Sequence, residues 1–240
     1  MIVLAIDTCD ARGSVALLWD EEVLGLAVHE TEEDYSSWLL PSVEEVLKGV
    51  GLQMSQVDAY AVAAGPGSFT GVRVGLTTVK AWAEVYGKPV PAVSRLEAIG
   101  VQATGETEYV AAFADAHRGQ VFGAVYQREG NGFGLRRIGE EMVIAPGKFV
   151  EAAAESCHSG KISWVSTDPA AVSGEAAWKE REKQGEVIEQ VSGVLAPMIG
   201  RMGLRELKEG RATDALGLDA NYVRRSDAEI LWKGGAAHGR

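Results

Sequence analysis

Two stretches of this 240-residue chain have reactive potential: Asp7-Thr8, and the glycine-rich run Gly65 to Gly71, GPGSFTG. Gly65 and Gly67 flank Pro66 and permit a tight turn that a Cβ would resist. The turn leads straight into an amphipathic segment. Backbone groups around Gly65, Gly67, Ser68 and Gly71 are therefore candidates to hold an anion at a helix N-terminus. No Gly-Lys-Ser/Thr follows, so this is not a Walker phosphate loop. The alternative is that the glycines only let a helix pack closely on a sheet, and the residues alone leave both open. Asp7 and Thr8 end an apolar run and are the second candidate contact for a nucleotide or anion. The plainer reading of Asp7 is a turn residue bonding its own backbone.

Nothing else in the chain reads as a reaction centre. His29, His117, His158 and His238 show neither clustering nor i,i+4 spacing. Cys9 and Cys157 have no metal spacing, and Cys9 has no evident base. Neither a Ser/His/Asp nor a Cys/His arrangement is legible, and Glu30 to Asp34 reads as a solvated loop. No catalytic residue and no metal site is assigned.

The surrounding elements follow from periodicity. Ile2–Ile6, Gly13–Trp19 and Val23–His29 read as three strands of an antiparallel meander. A helix follows, with Leu39, Leu40, Val43, Val46, Leu47 and Val50 on one face and Ser36 or Ser37 as its cap. Strand 57–64, helix 70–86, strand 90–93 and a short Ser94-capped helix complete a first unit. Polar residues 102–108 mark a boundary. Beyond it come a hairpin, 109–114 with 120–127, a strand at 137–144, a helix at 146–154 and a strand at 162–165. Val172 to Glu189 shows little pattern. A helix over 194–207 is expected to pack back on the first unit.

The helix over 70–86 carries two apolar faces: Phe69, Val72, Leu76, Val79, Ala83 and Tyr86 on one, Val74, Trp82 and Val85 on the other. A surface helix needs one such stripe. The surplus predicts a partner surface on this helix and the preceding one. Its contacts and support are expected from Leu39, Val43, Val46, Val72, Leu76, Val79 and Trp82. Cover by a second lobe or by the C-terminal helix is the competing explanation.

An apolar fraction of 46% over 240 residues supports one large core or two modest ones. The net charge of −11 argues against a chain that grips nucleic acid alone, since phosphate affinity comes largely from Lys and Arg. Met1 to Asp7 lacks a basic leader region, and no apolar run is long enough to cross a bilayer. A cytoplasmic protein with free thiols is expected.

Three strands, helix, strand, helix, strand is the order of the ribonuclease-H-like lobe that occurs twice in the actin, sugar-kinase and heat-shock-protein class. The expected fold is therefore α/β, two-lobed, with mixed sheets and a reduced second lobe. The expected divisions are a first lobe over 1–103, a smaller lobe over 104–189, a C-terminal helix region over 190–225 and a partly disordered tail over 226–240.

AIDT at Ala5–Thr8, SSWLLPSVEEVL at Ser36–Leu47 and GPGSFTGVRVG at Gly65–Gly75 together resemble the bacterial TsaB (YeaZ) family. PAVSRLEAI at Pro91–Ile99, DAHRGQVFGAVY at Asp115–Tyr126 and YVRRSDAE at Tyr222–Glu229 continue the match. Val150 to Gly193 matches only loosely. The chain departs from the family at Cys9, where serine is usual, and at Tyr35, where histidine is usual. The catalytic paralogue TsaD carries an Asn-His-x-x-x-His metal motif, and laying it here places the histidines on Arg95 and Ile99. Neither side chain replaces imidazole as a metal ligand.

The resemblance implies a non-catalytic scaffold that pairs with TsaD through the two first-lobe helices. With TsaE and TsaD it would support formation of N6-threonylcarbamoyladenosine beside the anticodon of tRNAs reading codons that begin with A. ATP and a metal would then belong to the assembled complex, with none in this chain. tRNA would be met only through the complex, with no membrane partner, and a homodimer is a further state when TsaD is absent. The alternative is a small-molecule kinase or ATPase of the same fold. It would need a second nucleotide clamp, for which Gly193–Gly200 is the nearest candidate.

Overall fold

A computed structural model describes residues 1–30, 33–130, 134–158, 160–211, and residues 217, 221 and 223. The expected tail over 226–240 lies outside them. The first sheet is built from β1 (Ile2–Asp7), β2 (Ser14–Trp19), β3 (Glu22–Val28), β4 (Ala59–Ala63) and β5 (Ala92–Val93), in the order β3-β2-β1-β4-β5. β1 runs antiparallel to β2 and parallel to β4. A parallel pair needs a crossover, supplied by α1 (Tyr35–Gly49). α2 (Phe69–Tyr86) then crosses from β4 to β5, also parallel.

The second sheet repeats this plan. β6 (Tyr109–Asp115), β7 (Val121–Arg128), β8 (Leu135–Ile144), β9 (Ile162–Ser166) and β10 (Ile188–Gln190) run in the order β10-β9-β6-β7-β8. Read from β8, the order and directions match those of the first sheet. α4 (Pro146–Ser156), α5 (Ala170–Ser173) and α6 (Ala176–Lys183) cover its outer face. The chain is therefore a two-lobed protein of the actin, sugar-kinase and heat-shock-protein class. Its second lobe keeps all five strands and is reduced in its helices: α4 and α6 have 11 and 8 residues, against 15 and 18 in α1 and α2.

α3 (Arg95–Gly100) and α7 (Ala196–Lys208) lie between the two sheets. Adjacent strand residues point to opposite faces. Ile6 and Val62 lie under Gly75 of α2, while Ala5 and Ala61 lie under Gly200 and Gly203 of α7. α7 therefore sits on the face of the first sheet opposite α2 and does not cover the outer surface of the α1–α2 pair. That removes the C-terminal helix as an explanation for their surplus apolar residues.

Two local expectations are corrected. α1 begins at Tyr35, because the extended Asp34 accepts the N–H groups of Ser37 and Trp38 through its carbonyl; Ser36 and Ser37 lie exposed inside the first turn. Val172 to Glu189 covers the end of α5, all of α6 and most of the short edge strand β10. α6 hid there because it buries a single large residue, Trp178, edge-on to Trp164.

Candidate functional site

A cleft of about 830 Å³ opens between the lobes. The β1–β2 turn, the glycine turn before α2, Arg95 and the β6–β7 turn line it. The two hairpin turns are built alike. Asp7 Oδ1 accepts the N–H of Cys9 at 2.9 Å, and Asp115 Oδ1 accepts that of His117 at 2.8 Å. Asp7 therefore performs the turn role that its position allowed.

The glycine turn is held by protein groups of the chain itself. Ser68 caps α2, its Oγ accepting from Gly71 N–H at 3.3 Å. Ser68 N–H donates to the Cys9 carbonyl and Thr8 Oγ1 donates to the Gly71 carbonyl, each at 2.7 Å. The Gly65 carbonyl accepts from Arg95 N–H, also at 2.7 Å. A Cβ at Gly67 would stand 2.2 Å from the Cys9 carbonyl oxygen, and one at Gly71 2.0 Å from that of Thr8. Close packing of helix on hairpin therefore requires glycine at 67 and 71. Asp7, Thr8, Gly65 and Gly71 are buried, so the candidate anion contacts reduce to the accessible Gly67 and Ser68.

Arg95 is the unforeseen member of the site. Its side chain is 2% exposed, with Nη2 2.7 Å from Asp10 Oδ2 and Nε 3.5 Å from Asp7 Oδ2. The Asp7–Arg95 contact is ion against ion, for neither atom has a hydrogen-bond partner among the described residues. A guanidinium between two carboxylates does not fit a bound metal, nor a phosphate that would need one. The pairing spans about 85 residues of sequence and left no local pattern. Ile99, at the paralogue's other ligand position, is fully buried in the core. Cys9 is buried too, its thiol pushed up by burial and then by Asp7, which suits a packing role. Tyr35, in the family's histidine place, donates its hydroxyl to the Asp10 carbonyl.

In the candidate nucleotide clamp, Gly193–Gly200, the last glycine serves packing. A Cβ at Gly200 would meet Leu18 Cδ1 at 2.4 Å, and α7 needs that gap to lie on the sheet.

The partner residues divide sharply. Leu39, Val43, Val46, Val72, Leu76 and Val79 are at most 6% exposed and pack on the first sheet. They support a surface rather than form one, and only Trp82 of the seven is partly exposed. The outward apolar residues include Leu40 at 54%, Phe69 at 37% and Val85 at 74%. Leu40 borders two depressions, one shared with Phe69 and Val74, the other with Met54 and Trp82. An apolar groove thus runs along the seam of α1 and α2, with Trp82 held from beneath by Tyr60 at 5.7 Å between ring centroids. The helical period alone could not say which of two apolar faces meets the sheet.

Behind the cleft, Ser94 Oγ donates to Glu141 Oε1 at 2.5 Å and Asn221 Nδ2 donates to Oε2 at 2.6 Å. Glu97, one turn away, has its pKa raised to about 7 by burial first and then by Glu206, against the pull of Arg205. A folded pKa above the unfolded one means that the native state binds the proton more tightly. Glu97 therefore contributes stability at pH 4 to 5 that is lost as pH rises through 7. Glu97→Gln is expected to stabilise the chain at pH 8 by up to about 3 kcal/mol and to have little effect at pH 4.5. Urea denaturation at both pH values checks this, and an equal effect at both would refute it.

The TsaD model, described as tRNA N6-adenosine threonylcarbamoyltransferase, matches residues 22–189. The TsaB proteins of Bacillus subtilis and Escherichia coli, each a tRNA threonylcarbamoyladenosine biosynthesis protein, are 29% and 30% identical to the chain. Each comparison covers 97% of this chain, with 98% and 97% of those relatives. YeaZ from Pseudomonas aeruginosa superposes with a TM-score of 0.73 at 28% identity, over 92% of this chain and 99% of that one. Among the described residues, no helix is long and apolar enough to cross a membrane.

Proposed function

The chain belongs to the TsaB (YeaZ) family of tRNA threonylcarbamoyladenosine biosynthesis proteins, and from that premise we propose that it is a non-catalytic scaffold for TsaD. The carrying observation is the apolar groove along α1 and α2, bordered by the exposed Leu40 and the half-buried Val74 and Trp82. An apolar seam between two helices, supported by a fully packed sheet, suits two helices of a partner laid against it as a bundle. Its occupant is TsaD, with TsaE and tRNA joining the assembled complex. In TsaD's absence a second copy of this chain has the same complementary surface. ATP and a catalytic metal are brought by the partners, and the work is cytoplasmic.

A chain whose carboxylates are paired with its own arginine, and whose glycines are consumed in packing, has little with which to do the chemistry. The kinase alternative gains no support from the Gly193–Gly200 segment. Reconstitution tests the proposal. TsaD and TsaE are expected to modify tRNA only when this chain is added. The chain alone is expected to hydrolyse no ATP and to modify no tRNA. Robust ATP turnover by the isolated chain would sink the scaffold reading.

A further inference from the structure

We propose that Arg95 is the resident cation of the interlobe cleft, a guanidinium built into the place between Asp7 and Asp10 that a divalent cation could otherwise take. This goes beyond the scaffold role and does not depend on it.

The argument starts from the cost of burying charge. Asp7 is fully buried and Asp10 is two-thirds buried in side-chain area. Two carboxylates against one side chain in such a place repel each other and lose hydration, so a cation must sit with them. The structure supplies one from the protein, Arg95, the first residue of α3. Its fork reaches Asp10 at 2.7 Å and lies 3.5 Å from Asp7, and its own N–H holds the Gly65 carbonyl. One side chain thereby ties α3 to the β1–β2 turn, while its backbone ties α3 to the glycine turn.

Asp7 Oδ2 shows that the arrangement is a charge pairing and not a full hydrogen-bond network. It is buried, faces Arg95 Nε, and has no hydrogen-bond donor among the described residues. Its other oxygen is spent on Cys9 N–H. An oxygen so placed has the valence of a cation ligand, and here the arginine answers it. The guanidinium is permanently charged and cannot dissociate, so the cleft is filled whatever the surrounding metal concentration.

The consequence is conditional binding. Removing the arginine leaves two adjacent carboxylates without a counter-charge, which a hard divalent cation can neutralise through oxygen ligands. Manganese is a suitable probe because its paramagnetic resonance reports free and bound ion separately. The wild-type chain is expected to bind no Mn²⁺ at the Asp7–Asp10 place. Arg95→Ala is expected to bind one Mn²⁺ per chain at least tenfold more tightly than any wild-type binding. It should lose that binding when Asp7→Asn is added. Its melting temperature should fall by roughly 10 °C, since removing one partner of a buried pair is costly, and Mn²⁺ should recover part of the loss. If Arg95→Ala does not fold, Arg95→Met keeps the apolar stem and is read in the same way. The inference is overturned if the folded variant binds Mn²⁺ no better than wild type. It is also overturned if the wild-type chain itself holds a Mn²⁺ that Asp7→Asn abolishes, a result that needs no arginine variant. Neither outcome bears on whether TsaD occupies the α1–α2 groove.

Discussion

Leu40→Glu is expected to weaken association with the cognate TsaD by at least about 100-fold, equivalent to roughly 2.7 kcal/mol. The isolated chain should keep its melting temperature to within about 2 °C. Leu40 is 54% exposed and borders both depressions along the helix seam, so a carboxylate there costs the free chain little. In a closed apolar interface the same carboxylate would be stripped of water with no partner, a penalty of several kcal/mol. Val74→Glu, across the groove on α2, should act in the same direction. Val72→Glu and Leu76→Glu would mislead as tests of the interface. Their side chains are 2% and 5% exposed on the first sheet, so those variants are expected to unfold. Calorimetric titration with TsaD, alongside melting curves, separates the two classes. Full affinity in folded Leu40→Glu and Val74→Glu would place the partner elsewhere.

That contrast locates the boundary of what the sequence could reveal. Strand order was legible because the apolar runs of β1, β4, β6 and β9 are short, continuous and closed by turn residues. The repetition of that order in the second lobe was partly hidden, since its last strand has three residues and α6 has one buried anchor. The period of α2 announced two apolar faces, yet a hydrophobic stripe carries no label for what it meets. The labels came from packing: Val62 and Ile6 under Gly75 fix which face is inward. Side chains brought together from distant segments left no trace at all. The sequence marks Arg95 only as the residue in the place of a metal-motif histidine of the paralogue, and its pairing with Asp7 and Asp10 appears in the fold alone. The Asp-turn pair was closer to the surface of the text, as both apolar runs, Ile2–Ile6 and Tyr109–Ala114, end in aspartate before a hairpin.

Gly71→Ala is expected to destabilise the chain by about 3 kcal/mol or more, lowering the melting temperature by roughly 6 to 12 °C. Helix propensity alone predicts the opposite sign, a gain of up to about 1 kcal/mol for alanine over glycine inside a helix. The magnitudes decide. An added Cβ would lie 2.0 Å from the Thr8 carbonyl oxygen and 3.2 Å from its carbon. No side-chain rotation relieves a contact with backbone, so α2 must retreat from the β1–β2 turn. Retreat stretches the 2.7 Å bonds from Thr8 Oγ1 to Gly71 and from Ser68 N–H to Cys9, and it loosens the turn that holds Asp7 against Arg95. Gly49→Ala is the matched control: it lies in α1, and an added Cβ meets nothing within 4 Å. That variant should be neutral or slightly more stable. Urea denaturation of the two variants reads the sign directly. Should Gly71→Ala prove as stable as Gly49→Ala, the close approach of helix to hairpin is not what the glycine serves. A Gly71→Ala chain that kept its stability but lost binding of a phosphate anion would instead restore the anion-holding role to this turn.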